Sequence, residues 1–258
     1  MTYNPSYRRI LHKMGYYNYQ QGLIYRHLNQ EGGWKSHLQN CRRFILKALE
    51  IHKPVRVTVL GSGWLLDLPL KEITEVCENV CLIDIVHPPE VIDQVRSLKQ
   101  VELVEDDITG GLIEEEWIKA RNRLFFNKLR SLDDIIVPEY QLRNDPGLVI
   151  SLNVFTQLES LPLEFLKKRS KVEEDSYYYF RKAVQEKHID FLKKHQSVLI
   201  TDLSEVITDS SGKITEVISV LDDLPEGNYR EEWTWHFDTK RSDYYKKRSV
   251  FKVLALIM

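Results

Sequence analysis

The sequence predicts an α/β fold built on a mostly parallel sheet, and three observations carry that prediction. Short apolar runs of strand length recur between segments of helical period. The first of these runs ends in a tight Gly61-Ser62-Gly63. The last two runs follow each other with no helix between them, as an antiparallel pair closing a sheet would. Strands that alternate with helices imply right-handed crossovers and parallel pairing.

Bulk properties set the frame. At 258 residues with 43% hydrophobic and 29% charged side chains, the chain can bury a sizeable core. No apolar run reaches the roughly 20 residues that span a bilayer, and the first residues lack a signal-peptide core, so a cytoplasmic location is expected. A formal net charge of −2 gives no global attraction to nucleic acid or anionic membrane, and no nucleic-acid-binding motif is present. The three cysteines, Cys41, Cys77 and Cys81, are too few for a disulfide framework. They form no CxxC, and no metal site is expected. Oligomeric state is not readable.

Residues 1–54 read as a helical extension, rich in tyrosine and able to cover a pocket as a lid or simply to dock on the domain. Helices are expected over 22–30 and 36–51, the second capped by Ser36, with Gly32 and Gly33 in the break. Residues 55–258 read as the main domain. Strands are expected at 55–60, 80–86, 101–104, 147–152 and 197–202, and the closing pair at 231–237 and 249–257. The intervening helices are 68–78, capped by Asp67 with Pro69 in its first turn, then 88–98, 112–132, 163–168 and 173–194. An insertion of about 111–146 separates the third and fourth strands. Ser210–Lys213 reads as a turn, and Lys246–Arg248 as a solvated turn.

The candidate site residues gather at strand ends. Glycines at 61 and 63 permit positive φ and close approach of a ligand, or serve only a structural turn. Asp84 ends the second strand, where an acid can accept hydrogen bonds from a ribose diol. Asp107 and Ile108 follow the third strand; an acid there can accept from an adenine amino group while the isoleucine packs on the ring. Asn153 and Val154 follow the fourth strand, beside the switch point where ligands bind if the order is 3-2-1-4-5. His87 is a candidate base near the second strand's end or a partner for the Pro88-Pro89 turn. No residue is assigned as catalytic.

VLGSGW, CLIDIV, VELVEDDI and LVISLNVFTQL, in that order, resemble the motifs of class I S-adenosylmethionine-dependent methyltransferases. The resemblance covers about residues 55–204 and extends to the terminal strand pair. It implies a Rossmann-like seven-stranded sheet of order 3-2-1-4-5-7-6, the last strand antiparallel, with helices on both faces. It implies S-adenosyl-L-methionine as cofactor: Gly61, Ser62 and Gly63 around its methionine portion, Asp84 on its ribose, Asp107 and Ile108 at adenine, and Asn153 and Val154 beside the sulfonium. The expected activity is methyl transfer, to a small molecule rather than a macromolecule. Two departures stand out. Val59 replaces the acid often found before the first glycine, and Leu65 takes the usual third glycine position. Two alternatives remain: an NAD(P)-dependent oxidoreductase, for which the last glycine of GxGxxG is missing, and a degenerate, non-catalytic binding protein.

Overall fold

A computed structural model describes residues 5–30, 32–123, 127–240 and 247–258. Lys246 of the basic run, and part of the expected 112–132 helix, lie outside the described residues.

Eight strands form one sheet: β1 (Arg56–Leu60), β2 (Asn79–Asp84), β3 (Val101–Glu105), β4 (Leu148–Leu152), β5 (Ser197–Thr208), β6 (Ile214–Ile218), β7 (Tyr229–Asp238) and β8 (Arg248–Ile257). The order is β3-β2-β1-β4-β5-β8-β7, with β6 paired only to β5. Strands β1 to β5 pair in parallel, and β8 runs antiparallel between β5 and β7. This is the expected order with one strand added. The addition is β6, a fully exposed hairpin partner of the outer half of β5. Its alternating ITEVI buries neither face, so no apolar run in the sequence marks it.

Side chains alternate across the sheet and make two core layers. On one face Leu60, Ile83, Val149 and Leu199 pack with α1 (Pro5–Met14), α6 (Leu112–Ala120), α7 (Ser160–Arg169) and α8 (Glu174–Leu192). On the other, Val57, Val59, Leu82 and Ile150 pack with α3 (Lys35–His52), α4 (Leu70–Val76) and α5 (Pro89–Val95). The stripe Cys41, Phe44, Ile45, Ala48 and Leu49 of α3 is buried as its spacing requires.

Local punctuation differs from expectation at three places. Ser36 lies inside α3, which starts at Lys35 after Trp34 with no side-chain cap. Asp67 does not cap α4, which begins at Leu70 after Pro69; its carboxylate is drawn to Asn153 instead. The helix expected over 112–132 stops at Ala120. Among the described residues that follow, Leu129 bridges to Ser170 and Tyr140 donates to Asp106 (3.0 Å).

The N-terminal helices are held unequally. Helix α1 buries Tyr7, Ile10, Leu11 and Met14 in the core. Helix α2 (Tyr16–Asn29) fully buries no residue, although it carries six aromatic or aliphatic side chains besides Tyr16. Tyr16, Tyr19 and Leu23 of this helix line a cavity, while Tyr16 and Tyr17 also pack against the core. Positive-φ glycines, Gly15 and Gly32, stand at its two ends.

Candidate functional site

The cavity, of about 160 Å³, opens at the carboxyl ends of β1, β2 and β4. There β1 turns left to β2 and right to β4, the switch point at which a doubly wound sheet leaves a crevice. Gly61, Ser62, Gly63, Asp84, Asp107, Ile108, Asn153 and Val154 all line it.

The two glycines have different reasons to be glycine. Both have positive φ, +78° at Gly61 and +50° at Gly63. A Cβ on Gly61 would meet Val154 Cβ at 2.5 Å, so this glycine is required by the neighbouring strand end. A Cβ on Gly63 would find nothing nearer than 3.9 Å, so this one faces open cavity. Ser62 is buried, with Oγ 3.1 Å from His87 Nε2. His87 therefore belongs to the support of the loop and not to the cavity lining, and burial pushes it down to about 4. Leu65 holds a left-handed backbone, φ +58°, a conformation that glycine adopts more readily.

Asp84 ties the loop to β2. Its Oδ2 accepts from Gly63 N (2.7 Å), while Oδ1 accepts from Gln20 Nε2 (2.9 Å) and Val86 N (3.4 Å). Burial pushes its carboxyl up to about 6 against these hydrogen bonds. Gln20 descends from α2, and its Oε1 is buried without a partner, an unused acceptor beside Asp84. Trp64 Nε1 donates to Gln20 O (3.0 Å) and holds that turn of α2 to the loop.

Asp107 is heavily engaged by protein. Its Oδ1 accepts from Thr109 N (3.0 Å) and Oγ1 (2.5 Å), its Oδ2 from Tyr7 Oη (3.1 Å) and Ile113 N (3.4 Å). A ligand contact there would have to share those oxygens; Ile108, beside it, offers a buried apolar face.

Asn153 adopts the left-handed backbone (φ +51°) that asparagine tolerates better than most residues. Its Nδ2 lies 2.6 Å from Asp67 Oδ2, 3.2 Å from His37 Nε2 and 3.7 Å from Cys41 Sγ. His37 stacks on Trp235 (centroids 3.9 Å, 7° apart) and its Nδ1 accepts from Trp233 Nε1 (3.1 Å). Sequence reading missed this group. Only the His37–Cys41 spacing, one helical turn, was visible locally; Asp67 and Trp233 arrive through the topology.

Four aspartates, Asp67, Asp84, Asp106 and Asp107, line the cavity, and among the described residues no lysine or arginine does.

No protein-family model matches the chain, and no curated protein does. Fifty-eight chains of known structure match it. One is a 1,6-didemethyltoxoflavin-N1-methyltransferase from Burkholderia thailandensis: 9% identity, TM-score 0.44, covering 100% of this chain and 92% of that one. Another is the N-methyltransferase NodS from Bradyrhizobium japonicum, in complex with S-adenosylhomocysteine: 10% identity, TM-score 0.36, coverage 84% and 85%. A third is DhpI, also with S-adenosylhomocysteine: 9% identity, TM-score 0.35, coverage 93% and 94%.

The strand order, with β8 reversed beside β5, is the one expected from the sequence with β6 added.

Proposed function

We propose that the chain binds S-adenosyl-L-methionine and transfers its methyl group to a small molecule. The observation that carries this reading is the charge of the cavity: four aspartates and, among the described residues, no lysine or arginine. Such a lining favours a cationic ligand. A dinucleotide would bring a pyrophosphate, which wants free N–H groups at a helix N-terminus. Here Gly63 N is already given to Asp84, and α4 starts only at Leu70. The oxidoreductase alternative has no such support.

The residues present fit the cofactor. Gly63 leaves room at the loop, and Asp84 with the unused Gln20 Oε1 offers acceptors for ribose hydroxyls. Ile108 supplies an apolar face for adenine, and Asn153 and Val154 border the far end. When bound, the cofactor supplies a methyl group already activated by positive sulfur. The protein's part is alignment and exclusion of water. Tyr16, Tyr19 and Leu23 of α2 cover the cavity and supply that exclusion, which makes α2 the lid of the site.

Calorimetric titration with S-adenosylmethionine, S-adenosylhomocysteine and NADH tests the reading. Micromolar binding of the two sulfur compounds and none of NADH is expected. Binding of NADH alone would overturn it. Asp84→Ala should weaken S-adenosylhomocysteine binding by about 1.5–3 kcal/mol, the range for a hydrogen bond to a charged group; an unchanged affinity in the folded variant removes Asp84 from the site.

A further inference from the structure

Asp67 faces the cavity from the loop between Gly63 and α4. Its oxygen, His37 Nε2 and Cys41 Sγ lie within 4.8 Å of one another, a spacing that a divalent metal could use. Trp233 points elsewhere. An indole N–H only donates, so His37 Nδ1, 3.1 Å from Trp233 Nε1, must be an acceptor. Burial keeps the ring neutral. Its single hydrogen is therefore on Nε2, the atom that a metal would need bare.

That hydrogen has a consequence. One atom of the Asn153 amide sits 3.2 Å from His37 Nε2 and 2.6 Å from Asp67 Oδ2. The two ends of an amide are nearly the same size and shape. With nitrogen at that place, the amide donates to a charged Asp67 but also faces His37 Nε2–H, and Cys41 Sγ, 3.5 Å from Nε2 and 3.9 Å from Nδ1, lies beside the ring and not along that N–H. With oxygen there, it accepts from His37 Nε2–H and from an Asp67 that carries a proton. Protonation of Asp67 thus lets the amide turn and gives His37 Nε2–H an acceptor, so the cluster favours an Asp67 that takes up a proton.

We propose that Asp67 is the proton acceptor of the transfer site, and that the methyl acceptor is a small, uncharged, flat molecule whose nucleophilic nitrogen or oxygen carries a hydrogen. This rests on the reading above. The nucleophile gives its proton to an Asp67 oxygen and keeps the electron pair of that bond. It forms its bond to the methyl carbon as the carbon–sulfur bond breaks, the pair of that bond staying on sulfur. The walls around Asp67 select the shape: Tyr19, Leu23, Trp34, Leu38, Leu161 and Trp235 are aromatic or aliphatic. An anionic acceptor would meet Asp67 and Asp84.

The groups facing Asp67 are His37, Cys41 and Arg42 from α3 and Asn153 from the end of β4. The Arg42 charge favours ionised Asp67, but its guanidinium donates to Leu66 O (2.5 Å). Burial outweighs it and pushes the carboxyl up to about 6. Asp67 is therefore ionised at pH 8 and weakly acidic enough to hold a transferred proton.

The test uses the full chain saturated with S-adenosylhomocysteine and two probes of similar shape, phenol and anisole. Phenol can donate to Asp67; anisole, its methyl ether, cannot. Phenol is expected to bind at least tenfold more tightly than anisole at pH 8. The ratio should fall below threefold at pH 5 and in Asp67→Leu. Asp67→Asn, which keeps the shape and an uncharged acceptor, should give an intermediate ratio that no longer depends on pH. Nitrogen-detected NMR should find His37 as the Nε2–H form throughout. Equal binding of the two probes by the unaltered protein overturns the proposal, as does the Nδ1–H form of His37. A tenfold loss of S-adenosylhomocysteine affinity in Asp67→Asn also overturns it, by placing Asp67 in the cofactor's own site. If the unaltered protein does not bind S-adenosylhomocysteine at all, the reading beneath the proposal fails instead.

Discussion

Replacing Gly61 by alanine separates packing from ligand access. Gly61 and Gly63 both hold positive φ, so an alanine at either pays the left-handed penalty of about 1–2 kcal/mol. The surroundings then differ. At Gly63 the new methyl enters open cavity, and the cost in stability should stay near that penalty. At Gly61 it would sit 2.5 Å from Val154 Cβ, 2.9 Å from Val154 Cγ1 and 3.0 Å from Leu152 O. Contacts that close force backbone shifts, and overpacking of this kind adds about 1–3 kcal/mol. Gly61→Ala should therefore lose about 2–5 kcal/mol in urea-induced unfolding, against about 1–2 for Gly63→Ala. Val154→Ala keeps the Cβ that makes the 2.5 Å contact and should rescue little; Val154→Gly, which removes both clashing atoms, should in the double variant restore at least about 1 kcal/mol of what Gly61→Ala lost. Equal losses at the two glycines, or strictly additive losses in the double variant, would refute the argument that the β4 end dictates Gly61. Ligand binding should rank the other way: Gly63→Ala should weaken S-adenosylhomocysteine more than Gly61→Ala does, although it costs less stability.

Three further outcomes follow from the same structure. Glu116 is fully buried, both of its oxygens lack partners, and burial with the nearby Asp107 holds its carboxyl well above the ordinary value. The folded state then keeps a proton that the unfolded chain releases, so stability should fall as pH rises from about 4.5, the unfolded value. Glu116→Gln should flatten that fall in urea titrations between pH 4 and 8, and an unchanged slope would contradict it. Gln20→Ala should weaken S-adenosylhomocysteine by about 0.5–1.5 kcal/mol, one neutral hydrogen bond, with little change in unfolding midpoint because α2 buries none of its residues fully. Tyr7→Phe removes one of four bonds to the buried Asp107 and should cost about 1–3 kcal/mol of stability, read from the unfolding midpoint; a variant as stable as the parent would mean that α1 is not pinned through Asp107.

Elements that bury a face could be read from the sequence. The apolar runs of β1, β2, β4 and β5, and the stripe of α3, announce their own partners in the core, because burial demands a regular apolar period. Elements held by other means could not. β6 has no buried face, and the Leu65 backbone is glycine-like without a glycine. Asp67 looked like a helix cap because a carboxylate before a proline-led helix usually is one. Its cavity-facing place depends on Asn153, 86 residues later in the chain.

By itself, the sequence determined the alternation of strands and helices, the reversed final pair, and the gathering of Gly61, Gly63, Asp84, Ile108 and Asn153 at strand ends. Each of these follows from local period or from position at the end of an apolar run. Tertiary structure alone decided which side chains share a hydrogen bond. It gave Asp84 to Gly63 and Gln20, closed Asp107 with Tyr7 and Thr109, set His87 behind the loop, and brought Asp67, His37, Asn153 and Trp233 together. Apart from the local Asp107–Thr109 pair, those contacts join residues of different elements, where no local pattern records the distance between side chains.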